Sequence, residues 1–477
     1  METNDISIQH STHRQLDDFE QDEIGVKKIA DVIEFVVRNL DSKPFVVGLN
    51  SSWGTGKTEF LRMWSKQLNK NGWKFVAFNS WENDFVQDPL VCLLGELGKV
   101  FEAEQKSFVP KWEGVKEAAG FLLRKAIPGV VKHATVGAID VEGIGEAVGD
   151  AAEKATEKAI ETHNNIKGSL NDFRAKLAVL AEQVKEDTGH PLLIVVDELD
   201  RCRPSFAIEM LEAIKHLFEV ENLVFVLAYD GDQLACSTQA IYGSNFDGKS
   251  YLRRFFNLEL QLPRNPAVFL EGEANRMGLE DWVKATSSKQ RFCGTGADVI
   301  TSLKALAIVQ QFELRTIQRI LTRFSVVAAG LGTEKHIYSC VLSPIVVLSV
   351  VQPRLVNQYF SGDRTSSALI EAVWPIEKMH RLFPANGSDS TMTWAYASSI
   401  FFFTHLDFVE RQRNDREVTW ESFSVPILES RKMHLGFERL NSAFDYFADN
   451  QETFHWGYNA KIQLQSLIEG SSEFFGT

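Results

Sequence analysis

Five short apolar runs in the first 265 residues predict the strands of one sheet. They are rich in β-branched and aromatic residues. Two of them, Leu192–Val196 and Leu223–Ala228, are continuously apolar, as in strands buried on both faces. Segments with apolar residues three and four positions apart lie between the runs and predict helices. The predicted strands are 44–49, 73–78, 192–196, 223–228 and 257–262. Strands that alternate with helices indicate an α/β fold with a mainly parallel five-stranded sheet.

The same patterns predict how the chain divides into domains. Residues 1–21 are polar and are expected to form a flexible arm, while 22–265 contain every predicted strand. Within this core, residues 103–185 lack a strand pattern and include a heptad-like apolar stripe, which predicts a helical insertion. We interpret the insertion as an α-hairpin packed on the core, with a partner-binding or oligomer-forming arm as the alternative. Helical patterns predict a lid over 266–330 and a mainly helical C-terminal domain over 331–477.

A glycine-rich segment follows the first predicted strand and precedes a predicted helix. From Gly48 to Thr58 it reads GLNSSWGTGKT. Phosphate-binding loops have this layout because backbone N–H groups and the dipole at a helix N-terminus stabilise an anion. Lys57 is predicted to contact the β- and γ-phosphates of a nucleotide, and the Thr58 hydroxyl to bind Mg²⁺. The predicted nucleotide-binding residues of this segment are Ser52, Trp53, Gly54, Thr55, Gly56, Lys57, Thr58 and Glu59.

Ser51 stands where the phosphate-loop pattern has its first glycine. A strand-to-helix turn that binds no ligand is therefore an alternative interpretation of this segment taken alone. The backbone angle at Ser51 decides what the substitution does. If its φ is negative, the serine costs little, whereas a positive φ would leave the loop strained or open.

Two carboxylates, Asp197 and Glu198, end the third predicted strand. In P-loop enzymes an aspartate in this place holds Mg²⁺, and an adjacent glutamate can deprotonate the attacking water. We therefore predict that Asp197 binds the metal together with Thr58, and that Glu198 is the general base. An acidic loop after a buried strand is the alternative, and the phosphate-loop pattern upstream argues against it.

Charged residues after the later strands are further candidates. Asp230 ends the fourth predicted strand, where it would sense the γ-phosphate or the attacking water. Arg253 and Arg254, before the fifth strand, are candidate catalytic residues. Arg315 and Arg319 lie one turn apart on a predicted helix of the lid and are candidate phosphate ligands. A solvated salt-bridge face is the alternative for this last pair.

Composition narrows the classes of function. The net charge of −14 argues against broad nucleic-acid binding. Five scattered cysteines without a C-x-x-C pair predict neither a zinc site nor a disulfide framework, and they fit a reducing cytoplasm. The stretch His336–Pro353 has no charged side chain but contains a proline and several polar residues. We interpret it as buried helix and expect no integral membrane span.

These motifs resemble those of the KAP family of P-loop NTPases, from about residue 22 to about residue 324. The resemblance rests on WGTGKT at 53–58, FNSWE at 78–82, VDELDRC at 196–202, FVLAYD at 225–230 and YLRRFF at 251–256. It implies an ATPase with a central parallel sheet of order 5-1-4-3-2 and a helical insertion after the second strand. In many members the insertion carries membrane spans. Bacterial members include plasmid- and prophage-borne proteins that exclude phage, so the resemblance also implies a role in phage defence.

The leading hypothesis is a cytoplasmic Mg²⁺-dependent ATPase in which hydrolysis of ATP drives a conformational or assembly change, through self-association or an unidentified protein partner. One alternative is a nucleotide-gated switch or scaffold that turns over little ATP and recruits a partner. A second alternative is a nucleic-acid-dependent motor or loader, which the arginines after the fourth strand suggest and the acidic charge balance does not support.

Overall fold

The computed structural model describes residues 19, 22, 24–40, 43–86, 88–102, 108–125, 150–287, 296–331, 339–381, 390–417 and 465. The chain divides into two compact units, Met1–Pro263 and Arg264–Thr477. The first unit holds the sheet, and the described part of the second unit is helical. Most of the predicted arm over 1–21 and most of the C-terminal region beyond 417 lie outside the described residues. The predicted boundaries of arm, lid and C-terminal domain stay predictions.

The sheet of the first unit has five strands that all pair in parallel. Their order is β2-β3-β4-β1-β5, which confirms the expected α/β class and the order 5-1-4-3-2. The strands are β1 Phe45–Asn50, β2 Phe75–Asn79, β3 Leu192–Asp197, β4 Leu223–Tyr229 and β5 Leu258–Leu260.

Helices cover both faces of this sheet. They are α1 Lys27–Arg38, α2 Lys57–Lys70, α3 Ser80–Asn83, α4 Pro89–Glu102, α5 Val109–Lys125, α6 Asp150–Thr188, α7 Pro204–Leu217, α8 Gly231–Tyr242 and α9 Gly248–Leu252. A 3-10 turn, Leu199–Arg201, follows β3. The apolar residues of α1 and α2 pack on one face, and those of α4 to α8 pack on the other. Because both faces are covered, every residue of β4 is buried, which explains its continuously apolar sequence.

The helical insertion between β2 and β3 forms a packed pair. The faces of α5 and α6 meet through buried residues such as Trp112, Phe173 and Leu177, which belong to the same core cluster as β3 and β4. The apolar stripe in the sequence of α6 is therefore the face that packs on α5 and the sheet. Residues 126–149, between the two helices, lie outside the described part of the chain.

The second unit consists, in its described part, of helices around a core of its own. They are α10 Pro266–Arg276, α11 Leu279–Ser287, α12 Gly296–Gln310, α13 Leu314–Leu331, α14 Ser339–Val351, α15 Pro353–Phe360, α16 Ser366–Val373 and α17 Ser390–Asn414. A 3-10 helix, Ile376–Arg381, lies between α16 and α17. One hydrophobic cluster runs from Leu270 to Leu406. Most of α14 is buried in this cluster, and none of the described helices is long and apolar enough to cross a membrane.

Candidate functional site

The glycine-rich segment forms a tight loop between β1 and α2. β1 ends at Asn50 and α2 begins at Lys57. Gly54 has φ 74° and Gly56 has φ 88°, so both occupy the left-handed region that glycine adopts without the penalty of a side chain. The loop therefore delivers the backbone N–H groups of the first turn of α2 to the carboxyl edge of the sheet, where they can bind an anion.

Ser51 adds no backbone strain to this loop. Among the described residues other than glycine, φ is positive only at Glu198, Asn222 and Gln311. The Ser51 N–H donates to the Tyr229 carbonyl at 3.0 Å, and its Oγ accepts the N–H of Leu262 at 3.0 Å. Ser51 is buried, and the bond that its side chain adds is the one to the Leu262 N–H. The bond to Tyr229 belongs to its backbone.

The Lys57 side chain donates hydrogen bonds to carbonyl groups of the loop. Its Nζ donates to the carbonyl of Ser51 at 2.5 Å and to that of Ser52 at 3.2 Å. The Thr55 hydroxyl donates to the same Ser52 carbonyl at 2.7 Å. Burial lowers the pKa of Lys57 from its ordinary value, and three neighbouring carboxylates, led by Asp200, act in the opposite direction.

Thr58 and Asp197 bring the loop and the acidic strand end together. The Thr58 hydroxyl donates to Asp197 Oδ2 at 2.9 Å. Burial, and secondarily the charge of Glu198, raise the pKa of Asp197 to about 6. Hydroxyl and carboxylate oxygens are hard ligands that suit Mg²⁺, which commonly takes one or two protein groups and completes its shell with phosphate oxygens and water.

Thr58 and Asp197 fit a magnesium ion, and no other metal site is evident among the described residues. No group of three or more histidine, cysteine, aspartate or glutamate side chains that could hold an ion occurs among the described residues. Thr58 and Asp197 would supply two ligands of such a metal, and phosphate oxygens and water would supply the others.

Glu198 combines an unusual backbone with a charged partner. Its φ of 59° and ψ of 27° place a non-glycine residue in the left-handed region, at a cost of about 1–2 kcal/mol. Its N–H donates to Asp197 Oδ1 at 2.8 Å. Its carboxylate forms an ion pair with Arg201, with 2.9 Å between Oε1 and the guanidinium nitrogen. The strained backbone thus directs the glutamate away from the line of β3 and towards the turn that follows it.

Trp53 is held at two points. Its indole N–H donates to Asp200 Oδ2, and its backbone N–H donates to Asp230 Oδ2 at 2.9 Å. The second oxygen of Asp230 accepts the backbone N–H groups of Asp232 and Gln233 and so caps α8. Asp230 therefore joins the tip of the loop to the helix that follows β4.

Other contacts fix the neighbouring strand ends. The Asn50 side chain accepts the Gly231 N–H at 2.9 Å and donates to Glu259 at 2.6 Å, so it connects β1 to β5 and to the start of α8. Buried Asp84 accepts the Arg203 backbone N–H at 2.9 Å and its Nε–H at 3.0 Å. Arg203 is therefore occupied by the segment that follows β2.

The remaining predicted charged residues form a local ion pair or are exposed. Glu59 pairs with Arg62 inside α2, with 2.8 Å between the charged atoms. Arg253 and Arg254 are exposed just after α9. Arg315 and Arg319 are exposed on α13 in the second unit. The roles of these four arginines stay predictions.

The structure thus brings together Ser52, Trp53, Lys57, Thr58, Asp197, Glu198 and Asp230 on adjoining segments of the first unit. Sequence reasoning missed the contributions of Asn50, Asp200 and Arg201 to this group. One signal was present, because Trp53 and the Asp-Arg-Cys run at 200–202 belong to two of the motifs on which the family resemblance rests. Nothing in their spacing shows that they are in contact.

Comparisons with known proteins agree with the motifs. The sequence model of the KAP family P-loop domain matches residues 26–331, more than half of the chain. The phage T7 exclusion protein of Escherichia coli strain K12 is 23% identical over 269 residues. The alignment covers 54% of this chain and 35% of that relative, so the chain spans well under half of its length.

Solved structures also align along most of the chain. The ORC2 protein of Aeropyrum pernix, in its ADPNP–ADP complexes, covers 94% of this chain and 95% of its own, with 10% identity and a TM-score of 0.33. Its ADP form covers 97% and 96%, with 11% identity and a TM-score of 0.32.

Proposed function

The chain belongs to the KAP family of P-loop domains, and on that premise we propose that it binds ATP with Mg²⁺ and hydrolyses it. The observation that carries this proposal is the hydrogen bond between Thr58 and Asp197. It joins the hydroxyl that ends the phosphate loop to the carboxylate that ends a buried strand. These are the two protein oxygens that a nucleotide-bound magnesium ion needs in one place.

Phosphate binding belongs to the loop and the N-terminus of α2. The backbone N–H groups from Gly54 to Thr58 can donate to phosphate oxygens, and the dipole of the 14-residue helix adds a favourable field. Lys57 sits at the base of this loop and supplies the positive charge for the β- and γ-phosphates. Its contacts with the loop carbonyls support this role, because they place the ammonium group inside the curve of the loop.

Thr58 and Asp197 would hold the metal ion. When bound, Mg²⁺ would stabilise the negative charge that develops on the phosphates during transfer. Glu198 takes one proton from the water that attacks the γ-phosphorus, and the bond to the β-phosphate oxygen breaks to give ADP and inorganic phosphate. The bond from the Glu198 N–H to Asp197 Oδ1 supports this assignment, because it places the proposed base next to the proposed metal ligand.

An ATPase assay of four proteins tests the proposal. We expect Lys57→Ala to lose ATP binding and turnover, and Glu198→Gln to keep binding while turnover falls at least about 100-fold, since only the base is removed. Glu221→Gln, the same change at an exposed glutamate at the start of the β4 segment, is the matched control. Removal of Mg²⁺ with a chelator should abolish wild-type turnover. Equal turnover in Glu198→Gln and wild type would show that the assignment is wrong.

One observation favours a second candidate, a nucleotide-gated switch with little turnover. The carboxylate proposed as the base is already engaged by Arg201. If that ion pair persists with ATP bound, the chain would hold ATP and act by recruiting a partner. Tight binding with a turnover far below about 1 s⁻¹ would support the switch, whereas turnover at or above that rate argues for the enzyme.

We also propose that the protein acts in the cytoplasm of a bacterial cell, in the exclusion of phage, and that ATP drives a conformational or assembly change there. The support is the distant relative whose name describes exclusion of phage T7. The test is the efficiency of plating of a panel of phages on cells that express the wild-type chain, Glu198→Gln or Glu221→Gln. Protection by wild type and the control, and loss in Glu198→Gln, is expected. Equal plating on all three strains would contradict the role.

A further inference from the structure

Trp53 and Asp200 touch although 147 residues separate them in the sequence. The indole N–H donates to Asp200 Oδ2. Asp200 is only 7% exposed, and its Oδ1 has no hydrogen-bond partner among the described residues. Burial of a carboxylate oxygen without a hydrogen-bond partner lowers the stability of the folded state. An apolar side chain at this position would stabilise the fold more, which favours a functional reason for the carboxylate.

The position of Trp53 is set by hydrogen bonds rather than by burial. The side chain is 41% exposed, so packing alone does not hold it. Asp200 bonds its indole and Asp230 bonds its backbone N–H at 2.9 Å. The tip of the phosphate loop is therefore attached to the segments that follow β3 and β4, and Asp200 supplies the attachment on the β3 side.

Asp200 also belongs to the turn that carries the proposed base. It lies in the 3-10 turn Leu199–Arg201, directly after Glu198 and Leu199. Arg201, at the end of this turn, forms the ion pair with Glu198. Because the turn is only three residues long, a shift of Asp200 moves Arg201 as well. The indole bond thus connects the phosphate loop to the geometry of Glu198.

We propose that Asp200 is a positioning residue of the ATPase site, which holds the indole of Trp53 and so fixes the phosphate loop against the turn that places Glu198. The loop and the base then take up their working arrangement together. This inference rests on the proposed function and assigns a role to a residue that contacts neither the phosphates nor the metal in that proposal.

A double-mutant cycle on nucleotide affinity and turnover tests the inference. The variants are Trp53→Phe, which keeps a ring but removes the N–H, Asp200→Asn, which keeps the shape but removes the charge, and the two combined. We expect each single variant to weaken binding of Mg²⁺-ATP about 10-fold, because Trp53→Phe removes the hydrogen bond and Asp200→Asn reduces it to a weaker, uncharged one. The double variant should bind Mg²⁺-ATP no more weakly than the single variant with the lower affinity. Trp81→Phe, the same change at another exposed tryptophan, is the matched control.

Turnover at saturating ATP separates positioning from a simple loss of loop stability. If Asp200 also places the turn of Glu198, saturating ATP will not restore the turnover of Trp53→Phe or Asp200→Asn, and kcat will stay several-fold below that of wild type. Additive losses in the double variant, or full recovery of kcat in both single variants, would overturn the inference while leaving the ATPase proposal intact.

A spectroscopic readout keeps the test independent of catalysis. In ¹H–¹⁵N spectra of the tryptophan indoles, Trp53→Phe identifies the Trp53 resonance. That resonance should move in Asp200→Asn and should shift when ATP is added to wild type. An indole signal insensitive to the Asp200 change would reject the contact. If the wild-type chain does not bind ATP, the proposed function is wrong and this inference is wrong with it. If the wild type hydrolyses ATP but the double-mutant cycle is additive, only this inference is wrong.

Discussion

Ser51 makes structural hydrogen bonds at a position where the phosphate-loop pattern has glycine. Ser51 connects β1 to the Tyr229 carbonyl and to the Leu262 N–H, and these bonds lie directly beneath the phosphate loop. Its departure from the loop pattern therefore adds a side-chain acceptor without a positive φ at Ser51.

Replacement of Ser51 by the glycine of the general pattern is expected to destabilise the protein. The change leaves the buried N–H of Leu262 without its acceptor, which costs about 1–3 kcal/mol. ATP affinity should not improve, because the φ of Ser51 already suits the loop. Urea denaturation of wild type, Ser51→Gly and Ser51→Ala measures the loss, and the alanine variant separates the hydroxyl from backbone freedom. A more stable Ser51→Gly variant would contradict this explanation.

Partly buried His405 should make the stability of the second unit depend on pH. Burial lowers its pKa to about 4, so the unfolded chain binds a proton more readily than the folded chain between pH 6.5 and 4. Stability contributed by the neutral imidazole is therefore complete above pH 6.5 and falls on acidification, by about 2 kcal/mol between pH 7 and pH 5. Denaturation midpoints at both pH values measure it.

The variant His405→Gln isolates this contribution. It removes the titrating group, so the part of the acid sensitivity that belongs to this site should vanish. His216→Gln, at an exposed histidine of α7, is the matched control. The explanation fails if the wild type and His405→Gln lose the same stability between the two pH values.

At the scale of residues, the sequence could predict the groups that belong to contiguous motifs. Lys57 and Thr58 follow from the loop pattern, and Asp197 follows from its place at the end of a buried strand. Asp200 could not be assigned, because its contact with Trp53 joins residues 147 positions apart. Arg201 could not be assigned, because its ion pair with Glu198 depends on a 3-10 turn that the sequence pattern did not predict. Side-chain partners across such distances are set by packing, which no local pattern encodes.

At the scale of elements, burial decides what the sequence reveals. β3 and β4 are covered on both faces, so their apolar runs marked them to within a residue or two. β5 is one of the two edge strands and is only partly buried. It was predicted at 257–262, but it pairs only from Leu258 to Leu260. The strand order could not be read from periodicity at all, and the family resemblance supplied it.

The helix pair α4 and α5 offers a matched test of packing. Gly95 lies on the exposed side of α4, and a Cβ there would meet nothing within 4 Å. Gly98 faces α5, and a Cβ there would lie 3.3 Å from the ring of Trp112. Gly95→Ala should stabilise the protein by about 0.5–1 kcal/mol, because alanine loses less backbone entropy in a helix.

Gly98→Ala should gain less than Gly95→Ala or lose stability, since the new methyl group crowds the contact with Trp112. Thermal unfolding of the two variants beside wild type measures the difference. If both alanines stabilise equally, α4 and α5 are not packed as described.

At the scale of the whole molecule, the chain consists of two units with separate cores. The contacts among the loop, β3 and β4 all lie in Met1–Pro263. Arg315 and Arg319, predicted as phosphate ligands, belong to Arg264–Thr477. The sequence indicated this division, because predicted strands alternate with helices up to about residue 265 and only helices are predicted after it.

Expression of residues 1–263 alone tests which unit binds the nucleotide. We expect this fragment to bind Mg²⁺-ATP, because the loop, Thr58 and Asp197 are all present. Isothermal titration of the fragment, the full chain and the full chain with Arg315→Ala and Arg319→Ala measures the contribution of the second unit. A folded fragment with no affinity for ATP would show that the second unit is part of the binding site.

The two bonds from Lys57 to the loop carbonyls have a practical consequence for genetics. The alanine allele customary for P-loop proteins would remove an internal brace as well as a ligand, so cells carrying it could contain less protein. A phenotype of that allele would then report abundance rather than chemistry. Glu198→Gln leaves this brace in place and is the better allele for asking what ATP hydrolysis does in a living cell. Immunoblots of both alleles would reveal the difference before any phage is added.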